Sequence, residues 1–385
     1  MPNEPTRPDK LHFFDQPPEA LDQLLASWGW PRFRAAQVRD WVYRKLVADP
    51  AQMTNLALRD RDTLSERIDW FTARIAAHQS STDGTRKLLL SWGEPAGSVN
   101  AETVMIPDAD RRTACLSSQV GCPVGCKFCA SGLNGMKSNL TAGQIVEQVF
   151  ALDRLLDGPG LEVGDSSARK PLRPPAHTSN PHRINHVVFM GMGEPLANYA
   201  NVIRAVRILH HPQCFNIGAR KITISTVGLP QRIRQLAEED LPLNLAISLH
   251  APNEPLRREL IPWAEHFGLE EILDAARYYF DRTGREVTLE YVLLSGVNDR
   301  PQHARQLVQL IRSRALRANV NLIRYNEVES LPYKRPKAED VVEFQTILRR
   351  AGINTHVRKS RGRDIDAACG QLRRKEQARQ QLVEL

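Results

Sequence analysis

The sequence predicts an α/β protein whose parallel sheet is closed or partly closed into a barrel. Short apolar runs alternate with amphipathic helical segments after Thr113, which is the pattern of strands joined by crossover helices. The length of 385 residues suits one large domain with a smaller appendage. In such a barrel, the functional site lies at the carboxyl ends of the strands.

Two regions precede the barrel. Helical periodicity from Pro18 to about Arg67 predicts an N-terminal helical accessory domain over residues 1–70. Short β-prone runs at residues 87–92 and 103–106, bounded by glycine-containing turns, predict an extended linker over residues 71–112.

The predicted barrel core covers residues 113–350. We interpret five apolar runs as buried strands, at residues 186–190, 221–225, 243–249, 287–294 and 320–323. Amphipathic periodicity predicts helices at residues 142–156, 199–209, 230–238, 271–280, 301–314 and 338–350. Thr141 and Gln144 match a capping box, which places the beginning of the first barrel helix behind a cysteine-containing loop.

Two further segments depart from this alternation. Residues 157–183 are rich in Gly, Pro and Ser, and we interpret them as a surface insertion without a chemical role. Residues 351–385 form a C-terminal segment that contains Cys369 in a glycine-bearing stretch. A mobile loop at that position can enter the site.

Composition limits the class of protein. Lys and Arg number 52 against 44 Asp and Glu, and the net charge of +8 favours a polyanionic partner, with a basic surface lacking any partner as the alternative. Six cysteines are too few for a disulfide scaffold. The chain begins without a leader pattern and lacks an apolar run of roughly 18 residues, so we expect a cytoplasmic protein with no membrane association.

Cys122, Cys126 and Cys129 form a C-x3-C-x2-C motif on a predicted loop. Three thiolates can hold three irons of a four-iron cluster, whereas an electron-carrying cluster normally has four protein ligands. The open iron can bind a small molecule, and the amino and carboxylate groups of S-adenosylmethionine (SAM) suit it. Zinc is the alternative, but it needs a fourth ligand, and no histidine lies between Cys115 and Phe150.

This motif, with an aromatic residue before its last cysteine, resembles the radical SAM superfamily. Further motifs resemble one family of RNA adenine methyltransferases, which contains the dual-specificity 23S rRNA and tRNA adenine-C2 enzymes and their C8-methylating antibiotic-resistance relatives. These motifs are Met190-Gly191-Met192-Gly193-Glu194-Pro195-Leu196, Ser225-Thr226, Ser248-Leu249-His250-Ala251, Asn326 and Asp364-Ile365-Asp366-Ala367-Ala368-Cys369-Gly370-Gln371-Leu372. The resemblance extends over about residues 21–372.

The resemblance implies a partial (β/α)6 radical SAM barrel, a [4Fe–4S] cluster on the three motif cysteines, and two SAM molecules per turnover. The residues that match the family's SAM-binding positions are Gly193, Glu194, Ser225, Ser248, Leu249, His250 and Asn326. Taken alone, Gly191 and Gly193 could equally serve to turn the chain after a strand.

A catalytic sequence follows from the same resemblance, because an adenine ring carbon is not nucleophilic and its methylation needs radical chemistry. Cys369 accepts a methyl group from one SAM, and a second SAM supplies the radical that activates that group. Glu102 removes the ring proton, and Cys115 attacks the sulfur of Cys369 to release the product. Without the family, Cys115 would be a small buried residue and Glu102 a solvated charge; Cys214 is interpreted as structural.

The predicted activity is methylation of adenosine C2 in 23S rRNA and tRNA. Adenine-C8 methylation of rRNA is the nearest alternative, and a non-catalytic RNA-binding iron–sulfur or zinc protein is the alternative from another class. We expect a monomer whose partners are RNA and a one-electron reductase such as flavodoxin. Basic residues near Cys369 suit RNA phosphates, with a solvated surface as the alternative: Arg349, Arg350, Arg358, Lys359, Arg361, Arg363, Arg373, Arg374 and Lys375.

Overall fold

The computed structural model describes residues 10–93, 98–157, 183–365 and 372. Its N-terminal part is helical, with α1 (Pro18–Ser27), α2 (Phe33–Arg39) and α3 (Leu58–Arg67). Helix α2 continues directly into a π-helical turn at Asp40–Arg44. Two short parallel strands, β1 (Leu11–His12) and β2 (Ile68–Asp69), join the two ends of this region.

The segment predicted as an extended linker belongs to the main sheet. It contributes β3 (Arg74–Ser80), β4 (Arg86–Trp92) and β5 (Val99–Asp108), which pair in antiparallel order with one another. Strand β5 then pairs in antiparallel order with β6 (Arg111–Cys115). The cysteine loop follows β6 and is bracketed by a small antiparallel hairpin of β7 (Gln119–Gly121) and β8 (Met136–Asn139).

The rest of the sheet is parallel. After β6 come β9 (His186–Phe189), β10 (Ile222–Thr226), β11 (Asn244–Ser248), β12 (Val287–Leu293), β13 (Ala318–Arg324) and β14 (Thr355–Val357). The ten strands lie in the order β14-β13-β12-β11-β10-β9-β6-β5-β4-β3. This is the partial barrel that the sequence predicts, extended by β14 beyond residue 350 and by three antiparallel strands before residue 112.

Helices connect the parallel strands. They are α4 (Ala142–Asp157), α5 (Tyr199–His210), α6 (Pro230–Ala237), α7 (Glu254–Leu260), α8 (Leu269–Thr283), α9 (Pro301–Ser313) and α10 (Ala338–Arg350). The sequence predicts six of these seven, and the short helix α7 is the exception. The N-terminal region packs on α4, where the rings of Phe14 and Phe150 lie 5.0 Å apart.

The two faces of the parallel sheet differ in polarity. One face consists of fully buried apolar side chains such as Ile224, Ile247 and Leu289, and Tyr291 on this face contacts Phe344 of α10. The register pairs place polar side chains together on the opposite, inner face: Thr223, Ser225, Asn244, Ser248, Thr288, Glu290, Asn319 and Asn321. The interior of the partial barrel is therefore lined by hydrogen-bonding groups.

The sheet curves strongly enough to bring distant strands together. Arg358, just after β14, donates from Nη1 to the Met190 sulfur at 3.6 Å, although four strands separate β14 from β9 in the sheet. Residues 358–365 then cross towards β3 and β4. In the described part of the chain, no helix is long and apolar enough to cross a membrane.

Candidate active site

The cysteine loop lies between β7 and β8, at the carboxyl end of β6. Gly121 and Gly125 have φ angles of +83° and +68°, so the loop bends where L side chains would be strained. Cys122, Cys126 and Cys129 are half-buried free thiols packed against an apolar cluster that includes Phe128 and Tyr325. The loop is tied to α7 because Lys127 N donates to Leu260 O at 3.0 Å.

These thiols fit the cluster that the motif implies. Burial raises the pKa of Cys122 to about 12, and burial together with the neighbouring Cys129 and Cys122 raises the pKa of Cys126. Thiols this close together do not readily ionise at the same time, because the negative charges of the thiolates repel one another until a cation is bound. No three His, Cys, Asp or Glu side chains in the described residues converge as a single-ion site requires. A four-iron cluster sets a different requirement, because each thiolate binds its own iron.

Gly191 and Gly193 lie against the segment that follows β6. A Cβ atom on Gly191 would lie 2.6 Å from Leu116 O, and one on Gly193 would lie 2.7 Å from the Gln119 Cβ. Gly193 also has a φ of +106°. Close backbone packing, rather than only a turn, therefore requires both glycines.

Glu194 is a buried carboxylate at the N-terminus of a 3-10 turn. Its Oε1 accepts from Leu196 N at 2.9 Å, and its Oε2 accepts from Val227 N at 2.8 Å. Burial raises its pKa to about 7, although these backbone donors act in the opposite direction. The Thr226 hydroxyl also hydrogen-bonds this carboxylate, which links the loops after β9 and β10.

Ser225, Ser248 and His250 lie at the carboxyl ends of neighbouring strands. The hydroxyls of Ser225 and Ser248 are 3.4 Å apart. His250 has a φ of +59°, and its Nδ1 accepts from Val292 N at 3.1 Å, so Nε2 carries the proton of the neutral ring. Burial, followed by the charge of Arg257, lowers the pKa of His250 to about 3.

His250 also connects these strands to the cysteine loop, because its ring lies 5.1 Å from that of Phe128 in an edge-on contact. Leu249 is fully buried, and its backbone N donates to Glu290 O at 3.0 Å. Asn326 directly follows β13, which lies two strands from β11 in the sheet. Its Oδ1 accepts from Arg335 Nη1 at 3.1 Å. The structure thus brings all the matched strand-end residues to one rim of the barrel.

Glu102 and Cys115 lie on one face of the sheet at the β5–β6 pair. Cys115 is directly opposite Val104, and Glu102 is two residues before Val104, so the two side chains are diagonal neighbours at roughly 7–8 Å between Cα atoms. Both are buried, at 2% exposure for Glu102 and 5% for Cys115. Lys87 Nζ lies 2.8 Å from Glu102 Oε2.

Cys369 lies outside the described residues, but the segment that leads to it is anchored. Gly362 N donates to Asp83 Oδ2 at 2.9 Å, and Thr82 N donates to Asp364 Oδ2 at 3.0 Å. Ser81 Oγ donates to the other oxygen of Asp364. The chain five positions before Cys369 is therefore held against the β3–β4 turn.

Three residues that contact the candidate site residues were not predicted from the sequence. Lys87 looks like an ordinary residue of a strand, yet its side chain is fully buried beside Glu102. Ser117 donates to Glu102 O at 2.6 Å, and Gln119 accepts from Glu194 N at 2.8 Å. The one signal for Lys87 in the sequence is its position directly before the apolar run Leu88-Leu89-Leu90.

Comparisons with known proteins agree with this geometry. Residues 11–69 match the ribosomal RNA large subunit methyltransferase N-terminal domain, and residues 179–308 match the radical SAM superfamily. The crystal structure of a radical SAM methyltransferase from Sphaerobacter thermophilus is 41% identical, with a TM-score of 0.83, and the match covers 94% of this chain and 98% of that one. Fold and cysteine loop together define a radical SAM methyltransferase, which carries a [4Fe–4S] cluster and uses SAM.

Two relatives narrow this class, and both are named "Probable dual-specificity RNA methyltransferase RlmN". The protein from Rhodopirellula baltica is 43% identical over 97% of this chain and 93% of its own length. The protein from Dictyoglomus turgidum is 43% identical over 92% of this chain and 94% of its own length. The chain belongs to the RlmN family of dual-specificity RNA methyltransferases. The prediction of a SAM-dependent RNA methyltransferase is therefore confirmed.

Proposed function

We propose that this enzyme methylates C2 of adenosine in 23S rRNA and tRNA through an S-methylcysteine on Cys369. The observation that carries the proposal is the position of Glu102 and Cys115 as diagonal neighbours on one buried face of the sheet. Anchoring of Asp364 on the β3–β4 turn supports it, because that turn continues into the strand that carries Lys87. The methyl carrier would thus enter the site beside the proton acceptor and the second thiol.

We assign the cofactor contacts to the rim of the barrel. Cys122, Cys126 and Cys129 would hold the cluster, which in its reduced form supports reductive cleavage of SAM. Gly193, Glu194, Ser225, Ser248, Leu249, His250 and Asn326 would bind SAM. The neutral ring of His250 has its Nε2–H available as a donor, because Nδ1 already accepts from the Val292 backbone.

The first stage of the proposed reaction transfers a methyl group to Cys369 and then joins its carbon to adenine. The thiolate of Cys369 takes the methyl group of one SAM and releases S-adenosylhomocysteine. The radical supplied by the second SAM would take one hydrogen atom from that group and leave as 5′-deoxyadenosine, and the methylene carbon then bonds to C2 of adenine. The adduct must then lose one electron, which a cluster held by Cys122, Cys126 and Cys129 would accept, and its C2 proton passes to Glu102.

Release of the product uses the second thiol. The Cys115 thiolate attacks the sulfur of Cys369, the bond from that sulfur to the methylene carbon breaks, and the carbon takes up a proton. The cysteines are left as a disulfide, which an external dithiol reductant must reduce before the next turnover. Two SAM molecules are consumed for each methyl group.

The partners follow from this chemistry. RNA is the substrate, and a one-electron reductase such as flavodoxin would supply the electron for SAM cleavage. We propose a monomer that works in the cytoplasm, where the thiols stay reduced.

The decisive experiment compares three cysteine variants with labelled RNA on a denaturing gel. Cys115→Ala should accumulate RNA covalently attached to the protein, because no thiolate releases the adduct. Cys369→Ala should form neither product nor adduct. Cys214→Ala is the matched control, since Cys214 is buried in the core away from the strand ends, and it should retain activity.

Two results would contradict the proposal. A normal yield of methylated RNA from Cys115→Ala would remove that residue's role. Mass spectrometry of the product nucleoside distinguishes 2-methyladenosine from 8-methyladenosine, and the latter would replace the C2 assignment with the C8 alternative.

A further inference from the structure

Glu290 is a buried carboxylate on the inner face of the barrel that the steps above do not use. It lies on β12, and the register places it level with Ser248 on β11 and with Asn321 on β13. Its exposure is 3%. Adjacent strands are roughly 4.8 Å apart, so the side chain is one strand from the Ser225–Ser248 pair.

The two oxygens of Glu290 have different surroundings. Oε1 accepts from Asn321 Nδ2 at 3.2 Å. Oε2 is buried and has no hydrogen-bond partner among the described residues. An unpaired polar atom in the interior is unfavourable, so a site that retains one is suited to a ligand that supplies the missing donor.

The charged and polar groups around Glu290 are consistent with a ligand-binding site. Burial raises the pKa of Glu290, while the Arg358 guanidinium and the hydrogen bond from Asn321 act in the opposite direction. Arg358 also contacts Met190 across the barrel, so a cation, a carboxylate and two hydroxyls surround the same interior space. This combination recognises a polar ligand with several hydrogen-bonding groups.

We propose that Glu290 is an adenosine-binding residue, whose Oε2 accepts a hydrogen bond from a ribose hydroxyl or from the exocyclic amino group. A carboxylate can only accept, and these groups are the donors of adenosine. Adenosine reaches this interior from two sources, the adenosyl part of SAM and the target nucleotide of the RNA. The second source rests on the function proposed above, whereas the first does not.

The chain offers a matched control directly before the same strand. Glu286 precedes β12 by one residue and is exposed, and its Oε2 accepts from Asn319 Nδ2 at 3.0 Å. Glu286 and Glu290 therefore each pair with an asparagine of β13, but Glu286 lies at the amino end of the strand, away from the strand-end residues. Glu286→Gln and Glu290→Gln change the same chemistry at two places.

The first arm measures binding of radiolabelled SAM to the full-length, cluster-reconstituted protein without RNA. Because Glu290→Gln loses one hydrogen bond to a charged group, its dissociation constant for SAM should be roughly ten-fold higher than that of the wild type. The dissociation constant of Glu286→Gln should be unchanged. SAM analogues that lack the donor in contact with Oε2, which is the 2′ hydroxyl, the 3′ hydroxyl or the exocyclic amino group, should then bind wild type and Glu290→Gln equally. Cluster absorbance and the thermal midpoint verify that each variant is folded and loaded.

The second arm measures methylation of RNA fragments that carry adenosine or purine riboside at the target position. If Glu290 contacts the target base, the preference for adenosine should fall roughly ten-fold in Glu290→Gln, with SAM affinity unchanged. Unchanged behaviour in both arms, or an equal loss in Glu286→Gln, would overturn the inference. If the RNA is not methylated at all, the proposed function fails while the SAM-binding arm still decides the role of Glu290.

Discussion

Lys87 Nζ lies 2.8 Å from Oε2 of Glu102, and both side chains are almost completely removed from solvent. The two residues occupy diagonal positions on adjacent antiparallel strands, because Lys87 is opposite Val104. A buried carboxylate needs a counter-charge, and here the counter-charge comes from the neighbouring strand. The proposed proton acceptor is thus oriented by a lysine before any substrate is bound.

Replacement of this lysine should affect stability and activity differently. Lys87→Met leaves Glu102 as a buried charge without its lysine partner, so we expect a loss of about 3–5 kcal/mol in the free energy of unfolding. The double variant Lys87→Met/Glu102→Gln should recover most of that loss, because neither residue is then charged. Neither the single nor the double variant should methylate RNA. Chemical denaturation together with an RNA methylation assay measures the two effects, and recovery of methylation in the double variant would remove Glu102 from the mechanism.

Cluster binding should depend on each motif cysteine separately. Cys122→Ala, Cys126→Ala or Cys129→Ala should lose the iron–sulfur absorbance and most of the bound iron after anaerobic reconstitution. The fold should persist, because the loop packs on a cluster of residues distinct from the main core. Iron analysis and circular dichroism provide the readouts, with Cys214→Ala as the cysteine control. Full iron content in any of the three variants would exclude that residue as a ligand.

The contact between the N-terminal region and helix α4 should make stability depend on pH. His12 Nε2 lies 2.9 Å from Glu147 Oε1, and His12 Nδ1 lies 3.5 Å from Asp15 Oδ2. Burial by itself would lower the pKa of His12, but the interactions with Asp15 and Glu147 raise it to about 9. Because the pKa of His12 is raised on folding, protonated His12 stabilises the folded state fully at pH values below its unfolded-state pKa of about 6.5. This contribution is lost as the pH rises through 9.

The expected loss between pH 6.5 and pH 9.5 is on the order of 3 kcal/mol, from 1.36 kcal/mol per unit of pKa difference. The thermal midpoint of the apoprotein across this range measures it. His12→Gln should flatten the profile, because it removes the group that takes up the proton. An equally steep profile in His12→Gln would assign the pH dependence to other groups.

Loss of the Asp364 anchor should impair delivery of the methyl carrier. Asp364→Asn weakens the hydrogen bonds from Thr82 N and Ser81 Oγ, so the segment before Cys369 should be held less firmly. We expect a several-fold lower kcat with an unchanged SAM dissociation constant. Asp340→Asn, at a half-buried position in the first turn of α10, is the control. Weaker SAM binding in Asp364→Asn would place this residue in the cofactor site instead.

The sequence alone predicted the five parallel strands β9 to β13, six of the seven barrel helices and the loop that carries the cysteine motif, but not β6 or β14. The predicted features are local: apolar periodicity reports strands and helices, and the C-x3-C-x2-C spacing reports a ligand set within one loop. Helix α7 was missed because seven residues carry little periodicity. The resemblance to the family also depended on short contiguous motifs, which a linear reading can recognise.

Tertiary structure alone decided which polar residues meet inside the barrel. We interpreted the runs around Ser225 and Ser248 as buried strands, and the strand register shows that an apolar helix-covered face is separated from a polar inner face. Lys87 beside Glu102, and the unpaired oxygen of Glu290, are likewise consequences of pairing between strands. Residues far apart in the chain become neighbours only through that register, because side chains alternate between the two faces of a strand and strand pairing determines which of them share a face.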